Sequence, residues 1–414
     1  MQHHFVALLI VAWITSLTTT PLMRIVGSRI GLLDHPHERK IQRTAIPRTG
    51  GIGILFGVGA AMLYLVKIAP PLGIAMTREL AAVLAGGALI HLIGIMDDLF
   101  QLSAKFKLGM QVLVISYVVS NGLLLDGLTF PGGYVLDLGI LGIPVTAFFL
   151  LGFINSFNLV DGLDGLAGGI AAISAMVLAF AGVLQGNFLL VVLSLALLGA
   201  VVGFLPFNFL LGKTFLGDAG SMLLGYLLAV SALAGSRFTH DATPVLLAIA
   251  SAIVPILDTF TTILRRLRSG QGLFHPDSMH IHHRLIRFGL TPERTVVVML
   301  GVTAFSAGLS LCLLVEGSAP LLVPTVLAGF LVALGMRRER RAIEDDTEAS
   351  IRETVLYLLG TLDGPNARMD GKQRIGEVLA AAPAQVTSGA RTNEPVHPQA
   401  GLAGRSRSSR ESAG

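Results

Sequence analysis

The sequence predicts an all-α polytopic membrane protein of about eleven transmembrane helices, with cytosolic catalytic loops and a small outer β-hairpin. Three observations predict it. Of 414 residues, 53% are hydrophobic and only 14% charged, where a soluble protein carries about 25% charged residues. The mean hydropathy is +0.72. Apolar runs of about 20 residues recur along the chain, which is the length a helix needs to cross a bilayer. Such runs must be helical, because lipid offers no partner to a free backbone N–H or C=O.

The spans are expected at residues 5–23, 51–69, 80–96, 108–125, 140–157, 166–184, 188–210, 221–235, 244–264, 295–315 and 319–336. The first is long and lacks a basic leader, so it reads as a span and not as a cleaved signal. The single cysteine, Cys312, lies in an apolar run and reads as a packed or lipid-facing thiol. Residues 127–139 hold Pro131-Gly132-Gly133 between short β-prone runs, the pattern of a small hairpin.

Three parts follow from composition: a membrane domain over 1–336, a basic juxtamembrane segment with an amphipathic helix over 337–364, and a disordered tail over 365–414. Arg337, Arg338, Arg340 and Arg341 suit anionic headgroups. Ile351, Val355, Leu358, Leu359 and Leu362 then recur at helical spacing, for an interface or for a partner. Small and polar residues dominate after Pro365.

Basic residues set the orientation. Arg24, Arg29, Arg39, Lys40, Arg43 and Arg48 fall between the first two spans, and Lys105 and Lys107 follow the third. Lys213 follows the seventh, and Arg265, Arg266, Arg268, Arg284, Arg287 and Arg294 follow the ninth. The alternate loops hold only Arg78 and Arg237, with Lys67 near a span end. Basic loops stay in the cytosol, so the N-terminus is expected outside and the C-terminus inside.

The acidic residues and histidines cluster on that same cytosolic side. A transporter would instead place its binding groups near the bilayer middle, at broken helices. Asp97-Asp98 end the third span, where two adjacent carboxylates bind a divalent cation or take up a proton, and Lys105 and Lys107 supply phosphate-binding charge beside them. In NSFNLVDGLDGLAGG, Asn155, Asn158, Asp161 and Asp164 recur every third residue, which lines them along one helical face. Gly162 and Gly165 allow close approach to the backbone there. In KTFLGDAGSMLLGY, Asp218 either caps the eighth span or serves as a hard-metal ligand, with Phe215 placed to stack on a base. The loop that follows Asp258 ends in His280, His282 and His283. Zinc is one reading of HIHH; phosphate contact is preferred, since no cysteine is near and arginines would repel a cation.

These motifs in this order resemble the polyprenyl-phosphate N-acetylhexosamine-1-phosphate transferase family, over residues 34–290. DHPHERKIQRTAIPRTGG looks like its first inner loop, and NSFNLVDGLDGLAGG, FLGDAGS and PDSMHIHHRL are each specific to it. HIHHRL is similar to the undecaprenyl-phosphate N-acetylglucosamine-1-phosphate transferase branch. The third residue after the aspartate pair is Gln101 where the family often has Asp or Glu, so no metal role carries over there. Before FLGD, where the family often has Pro-Ala-Lys, this chain has Leu211-Gly212-Lys213.

The resemblance implies roles at matching positions. Asn158 and Asp218 would contact Mg²⁺, with Mn²⁺ as substitute. Asp97 and Asp98 would be the catalytic pair beside the lipid phosphate, one of them taking its proton. Asp164 would hydrogen-bond uracil, Phe215 would stack on it, and Asp161 would join the substrate site. Lys107, Lys105, His280, His282 and His283 would bind phosphate groups, and Arg39, Lys40 and Arg48 would serve in the first loop. The implied reaction moves N-acetylglucosamine-1-phosphate from a UDP-sugar to undecaprenyl phosphate and releases UMP. It would be the first membrane step of cell-envelope polysaccharide synthesis, such as lipopolysaccharide or teichoic acid. Direct attack and a two-step path through an aspartyl-phosphate both fit. The alternatives are a phospho-N-acetylmuramoyl-pentapeptide transferase and a lipid-linked sugar transporter. The expected partners are a UDP-sugar, undecaprenyl phosphate, membrane lipid and a second copy of the chain, with no nucleic acid. The expected location is the inner (plasma) membrane, with the active site cytosolic.

Overall fold

The computed structural model describes residues 2–34, 45–68, 76–130, 133–268, 272 and 280–315. These lie in the first of two compact units, Met1–Met336 and Arg337–Gly414. The span expected at 319–336, the juxtamembrane segment, the amphipathic helix and the tail fall outside the described residues, as do Arg39 and Lys40.

The helices are α1 (Gln2–Ile30), α2 (Gly50–Ile68), α3 (Arg78–Phe100), α4 (Ala104–Ser120), α5 (Gly142–Val160), α6 (Leu166–Gln185), α7 (Phe188–Leu205), α8 (Gly217–Thr239), α9 (Thr243–Ser251), α10 (Ile253–Arg268), α11 (Ile281–Arg287) and α12 (Pro292–Val315). Among the described residues, eight helices are long and apolar enough to cross a membrane, or nine when one bent pair counts as a span. The eleven spans expected from the sequence are not all reached among the described residues, which leave out 319–336. The fourth expected span is α4, whose 17 residues reach only about 26 Å at 1.5 Å per residue, short of a hydrocarbon core of about 30 Å. The ninth is not one helix: α9 and α10 meet at a 73° bend. Ala252 leaves helical geometry at the break (φ −101°, ψ 23°). Pro255 then sits in the first turn of α10, where its missing N–H leaves no intrahelical bond unmade.

The expected hairpin is present. Strands β3 (Gly127–Thr129) and β4 (Val135–Asp137) pair antiparallel, with Leu128 opposite Leu136. Thr129 N–H donates to His240 O at 3.0 Å, which pins the hairpin to the end of α8. A second pair was not foreseen: β1 (Leu33–Asp34) runs antiparallel to β2 (Ile46–Pro47). It closes the base of the first basic loop and brings Asp34 next to Arg48.

Helix α8 is the axis of the bundle. Every residue from Ala219 to Ser236 is buried, and α2, α3, α5 and α7 pack around it. A helix apolar all round must be enclosed in this way or face lipid. Small residues set how closely the helices approach. A Cβ on Gly94 of α3 would overlap the backbone of Ala219, and one on Gly51 of α2 would overlap Gly220. The consequence is local: the first turn of α8 is gripped between α2 and α3, at the bundle end where Asp97, Asp98, Asn158 and Asp218 reside.

Gly94→Ala should therefore destabilise the protein in detergent by about 1–3 kcal/mol, the usual range for overpacking. Gly59→Ala, where an added Cβ meets nothing, should leave the melting temperature unchanged or raise it. Paired thermal melts check both.

Candidate active site

The C-terminal ends of α3 and α5 meet the N-terminal ends of α4 and α8 at one end of the bundle. Their side chains converge on Lys107 Nζ. It donates to Asp97 Oδ2 at 2.5 Å, Asp218 Oδ2 at 3.0 Å and Asn158 Oδ1 at 3.2 Å. Asp97 and Asp218 share this one ammonium, so the cluster keeps an excess negative charge. Asn158 is oriented from behind, since its Nδ2 donates to Ser221 Oγ at 3.1 Å. One turn further in, Asn155 Nδ2 donates to the fully buried Gln111 Oε1 at 2.8 Å. Asn155 thus backs the site and fixes α4 against α5.

The two adjacent aspartates do different things. Asp98 has a fully buried side chain. Its Oδ1 accepts from Asp218 N–H at 3.2 Å and its Oδ2 from Ala219 N–H at 3.1 Å. A carboxylate from α3 thereby satisfies the orphan donors that open α8. Arg48 adds a bond to Asp98 Oδ1 at 3.2 Å and pairs with Asp34 on its other side. Burial alone would lower the Arg48 pKa, but the bonds to Asp34 and Asp98 outweigh it and raise the pKa above its ordinary value. Asp97 keeps one oxygen for Lys107, while its Oδ1 accepts from Leu102 N–H at 2.8 Å. That bond and the left-handed Gln101 (φ 50°) end α3.

Asp161 to Gly165 form a tight loop between α5 and α6. Asp161 has φ −74° and ψ 56°, and Gly162 N–H reaches back to Val160 O at 2.8 Å, an inverse γ-turn. Asp161 is half-buried; desolvation raises its carboxyl well above the ordinary value, and the charges of Asp218, Asp98 and Asp164 add to the shift. Asp164 is exposed, and its Oδ1 accepts from Asn208 Nδ2 at 3.3 Å. Asn208 lies in a wide π-helical turn, Pro206–Leu210, and its Oδ1 accepts from Gly165 N–H at 2.7 Å. Phe215 is half-buried and held by its backbone: its N–H donates to Pro47 O at 2.9 Å, and its C=O accepts from Gly50 N–H at 3.0 Å.

The histidines sit on α11 and just before it. His280 is nearly buried, and Nδ1 bonds Asp258 Oδ2 at 2.8 Å. His282 packs on the 161–165 loop, where a Cβ on Gly162 would overlap its ring. His283 is exposed. His280 and His282 rings are parallel, with centroids 5.8 Å apart.

The geometry thus brings together Asp97, Lys107, Asn158 and Asp218, ties Asp98 and Arg48 to the frame of that cluster, and seats His282 against the acidic loop. It leaves Lys105 exposed and outside the cluster, because residues two apart on α4 face different ways. Sequence reasoning missed Asp34, Gln111, Asn208 and Ser221. Gln111 had a signal, as a polar residue inside an apolar run; the others had none before the fold was known.

The donor set suits a hard cation in part. Among the described residues no cluster of three or more His, Cys, Asp or Glu forms a cage. Yet Asp97, Asp218 and Asn158 aim oxygens at one point, now held by an ammonium. Mg²⁺ is commonly bound in this way, by one or two carboxylates completed by substrate phosphate.

Comparison with known proteins identifies the family. Residues 80–236 match the family described as Glycosyl transferase family 4. The chain is 36% identical over 296 residues to the probable undecaprenyl-phosphate N-acetylglucosaminyl 1-phosphate transferase of Bacillus subtilis, covering 70% of this chain and 81% of that one. It is 37% identical over 328 residues to the decaprenyl-phosphate N-acetylglucosaminephosphotransferase of Mycobacterium tuberculosis, covering 72% and 80%. It is 31% identical over 329 residues to the undecaprenyl-phosphate alpha-N-acetylglucosaminyl 1-phosphate transferase of Escherichia coli, covering 76% and 86%.

The His282 contact carries a pH dependence. Burial first, then the neighbouring His283, lowers the His282 pKa to about 4. A histidine whose folded pKa is depressed contributes full stability above its unfolded value of 6.5 and loses it as pH falls toward 4. At pH 5 the loss is on the order of 2 kcal/mol. The protection factors of amides across α11, corrected for the pH dependence of intrinsic exchange, should therefore fall between pH 7 and pH 5, and His282→Gln should remove that part of the change.

Proposed function

The chain belongs to the polyprenyl-phosphate N-acetylhexosamine-1-phosphate transferase family, and from that premise we infer that it transfers N-acetylglucosamine-1-phosphate to a polyprenyl phosphate. It is a transferase and a multi-pass membrane protein. The observation that carries the mechanism is the convergence of Asp97, Asp218 and Asn158 on Lys107 at one bundle end.

We read the donor as UDP-N-acetylglucosamine and the acceptor as undecaprenyl phosphate. An oxygen of the lipid phosphate attacks the phosphorus that bears the sugar. The bond from that phosphorus to the oxygen bridging to UMP breaks, and UMP leaves with the electron pair. Lys107 supplies a positive charge in a desolvated site, where it stabilises charge developing on the phosphates. Asp97 is the carboxylate we assign to hold the acceptor's proton, at Oδ2, which meets the Lys107 ammonium, whereas Asp98 is fully buried and bound by the α8 backbone and Arg48. We place the base at the exposed Asp164, which the buried Asn208 holds, and at the half-buried Phe215. The histidines on the far side of the 161–165 loop provide N–H donors for phosphate. Mg²⁺, when bound, would neutralise pyrophosphate charge, and Asp218 and Asn158 are the residues to hold it.

The basic loops at this bundle end favour a cytosolic site in the inner (plasma) membrane. The place of the product in envelope polysaccharide synthesis, and assembly as a homodimer, belong to the same proposal. The donor assignment excludes the muramoyl-pentapeptide reading on the strength of HIHHRL and the relatives' names. The transporter reading has no support from a cluster held at one bundle end.

Purified protein in nanodiscs should convert UDP-N-acetylglucosamine and undecaprenyl phosphate to a solvent-extractable labelled lipid, and excess chelator should stop it. Asp218→Asn should lose most turnover with an unchanged melting temperature; near-normal turnover would remove Asp218 from the metal site. Sidedness is separately testable. Lys213→Cys in a Cys312→Ser background should react in intact cells with membrane-permeant maleimide only. Labelling by an impermeant reagent would reverse the topology.

A further inference from the structure

Asp258 has no part in the reaction as described above, yet it is one of the most enclosed carboxylates among the described residues, with 1% exposure. It lies on α10, 22 residues before His280. Both of its oxygens are used. Oδ2 meets His280 Nδ1 at 2.8 Å, and Oδ1 accepts from Ile281 N–H at 2.7 Å. The carboxylate therefore fastens the return of the long loop, at the residue where α11 begins.

We propose that Asp258 is a positioning residue that presents His280 to substrate phosphate through Nε2. The proposal rests on the transferase reading above.

An ionised carboxylate can only accept, so the proton in this bond resides on Nδ1. The other ring nitrogen, Nε2, has no protein partner among the described residues. The His280 side chain retains 10% of its exposure, so the ring is not sealed. A phosphate oxygen arriving at Nε2 would meet a ring already fixed in orientation and backed by a negative charge. When the ring is protonated, both nitrogens donate at once, Nδ1 to Asp258 and Nε2 to the anion. Charge-assisted bonds of this kind are about twice as strong as neutral ones. A carboxylate behind a histidine that faces a charged ligand fixes tautomer and orientation in the same way at metal sites.

A second reading of the same contacts is purely structural: Asp258 anchors α11 through Ile281 alone. The two readings separate through one substitution. Asp258→Asn keeps an amide oxygen for Ile281 N–H but turns an N–H₂ group on Nδ1. The ring must then accept at Nδ1 and carry its proton on Nε2, as a neutral donor.

The test uses full-length protein in nanodiscs with four chains: wild type, Asp258→Asn, His280→Ala and the double variant. Two quantities are measured for each, the KM for UDP-N-acetylglucosamine at saturating undecaprenyl phosphate, and the rise in melting temperature that this nucleotide sugar produces. The second needs no turnover, so it survives an inactive variant. Asp258→Asn should raise KM about tenfold, reduce kcat less than that, and shrink the ligand-induced thermal shift. In the His280→Ala background the same substitution should change neither quantity. Equal effects in both backgrounds would overturn the proposal in favour of the structural anchor. An Asp258→Asn protein with wild-type KM and thermal shift would overturn it outright. Wild-type protein that neither binds nor uses the nucleotide sugar would sink the donor assignment, and this inference with it. An active wild type with an unaffected variant removes the Asp258 role alone.

Discussion

Lys107, whose side chain is 16% exposed, carries the charge around which this bundle end is organised. Placing it there is costly unless oxygen partners replace its lost water. Asp97 from α3, Asp218 from α8 and Asn158 from α5 provide them. The dependence is mutual, because without the ammonium two carboxylates would face each other in a poorly hydrated space. Three helices distant in sequence are thus held to a common register by the group that we propose meets phosphate. On that proposal, structural and chemical roles coincide in one side chain.

The rest of the site keeps that point in place. Asp98 and Arg48 fix the first turn of α8, and β1–β2 pairing delivers Asp34 to the other side of Arg48. Gly51 and Gly94 permit α2 and α3 to close on that turn, which a Cβ at either position would prevent. The Gln111–Asn155 bond locks α4 to α5 one turn inward. The two faces of the Asp161–Gly165 loop are then held by Asn208 and by His282. A frame this constrained is what electrostatic stabilisation of a phosphoryl transfer calls for, since donors that must reorganise at the moment of reaction stabilise it less.

Much of this was legible in the sequence, for physical reasons that can be named. Apolar run length and the sidedness of charge gave a helical membrane protein with its polar groups gathered at one end. The three-residue repeat of Asn155, Asn158, Asp161 and Asp164 held as a helical face only for the two asparagines, because α5 ends at Val160 and both aspartates lie in the loop that follows. The Pro131-Gly132-Gly133 stretch marked the hairpin. Other features were out of reach because they depend on approach between distant segments. Nothing in DDLF distinguishes Asp97 from Asp98; one points along α4 and the other into the start of α8, and only the packing of α3 against α8 decides which. Lys105 and Lys107 look equivalent until α4 is seen to turn one of them away. The break between α9 and α10 occurs inside an apolar run whose composition gives no reason to divide it, apart from Pro255. Among the described residues the spans number fewer than eleven because α4 is short of a full crossing and α9 and α10 are bent apart.

The central claim is that Lys107 serves the reaction and is more than a tie between helices. The direct measurement is turnover and melting temperature of Lys107→Gln and Lys107→Met in the same nanodiscs. Glutamine can still donate to Asp97 or Asn158 but brings no charge. The account predicts that Lys107→Gln stays folded with a lowered melting temperature, and that at a temperature where it is folded it loses about a hundredfold or more in kcat, the scale on which removing one preorganised charge stabiliser acts. A Lys107→Gln protein that turns over at close to the wild-type rate would contradict it.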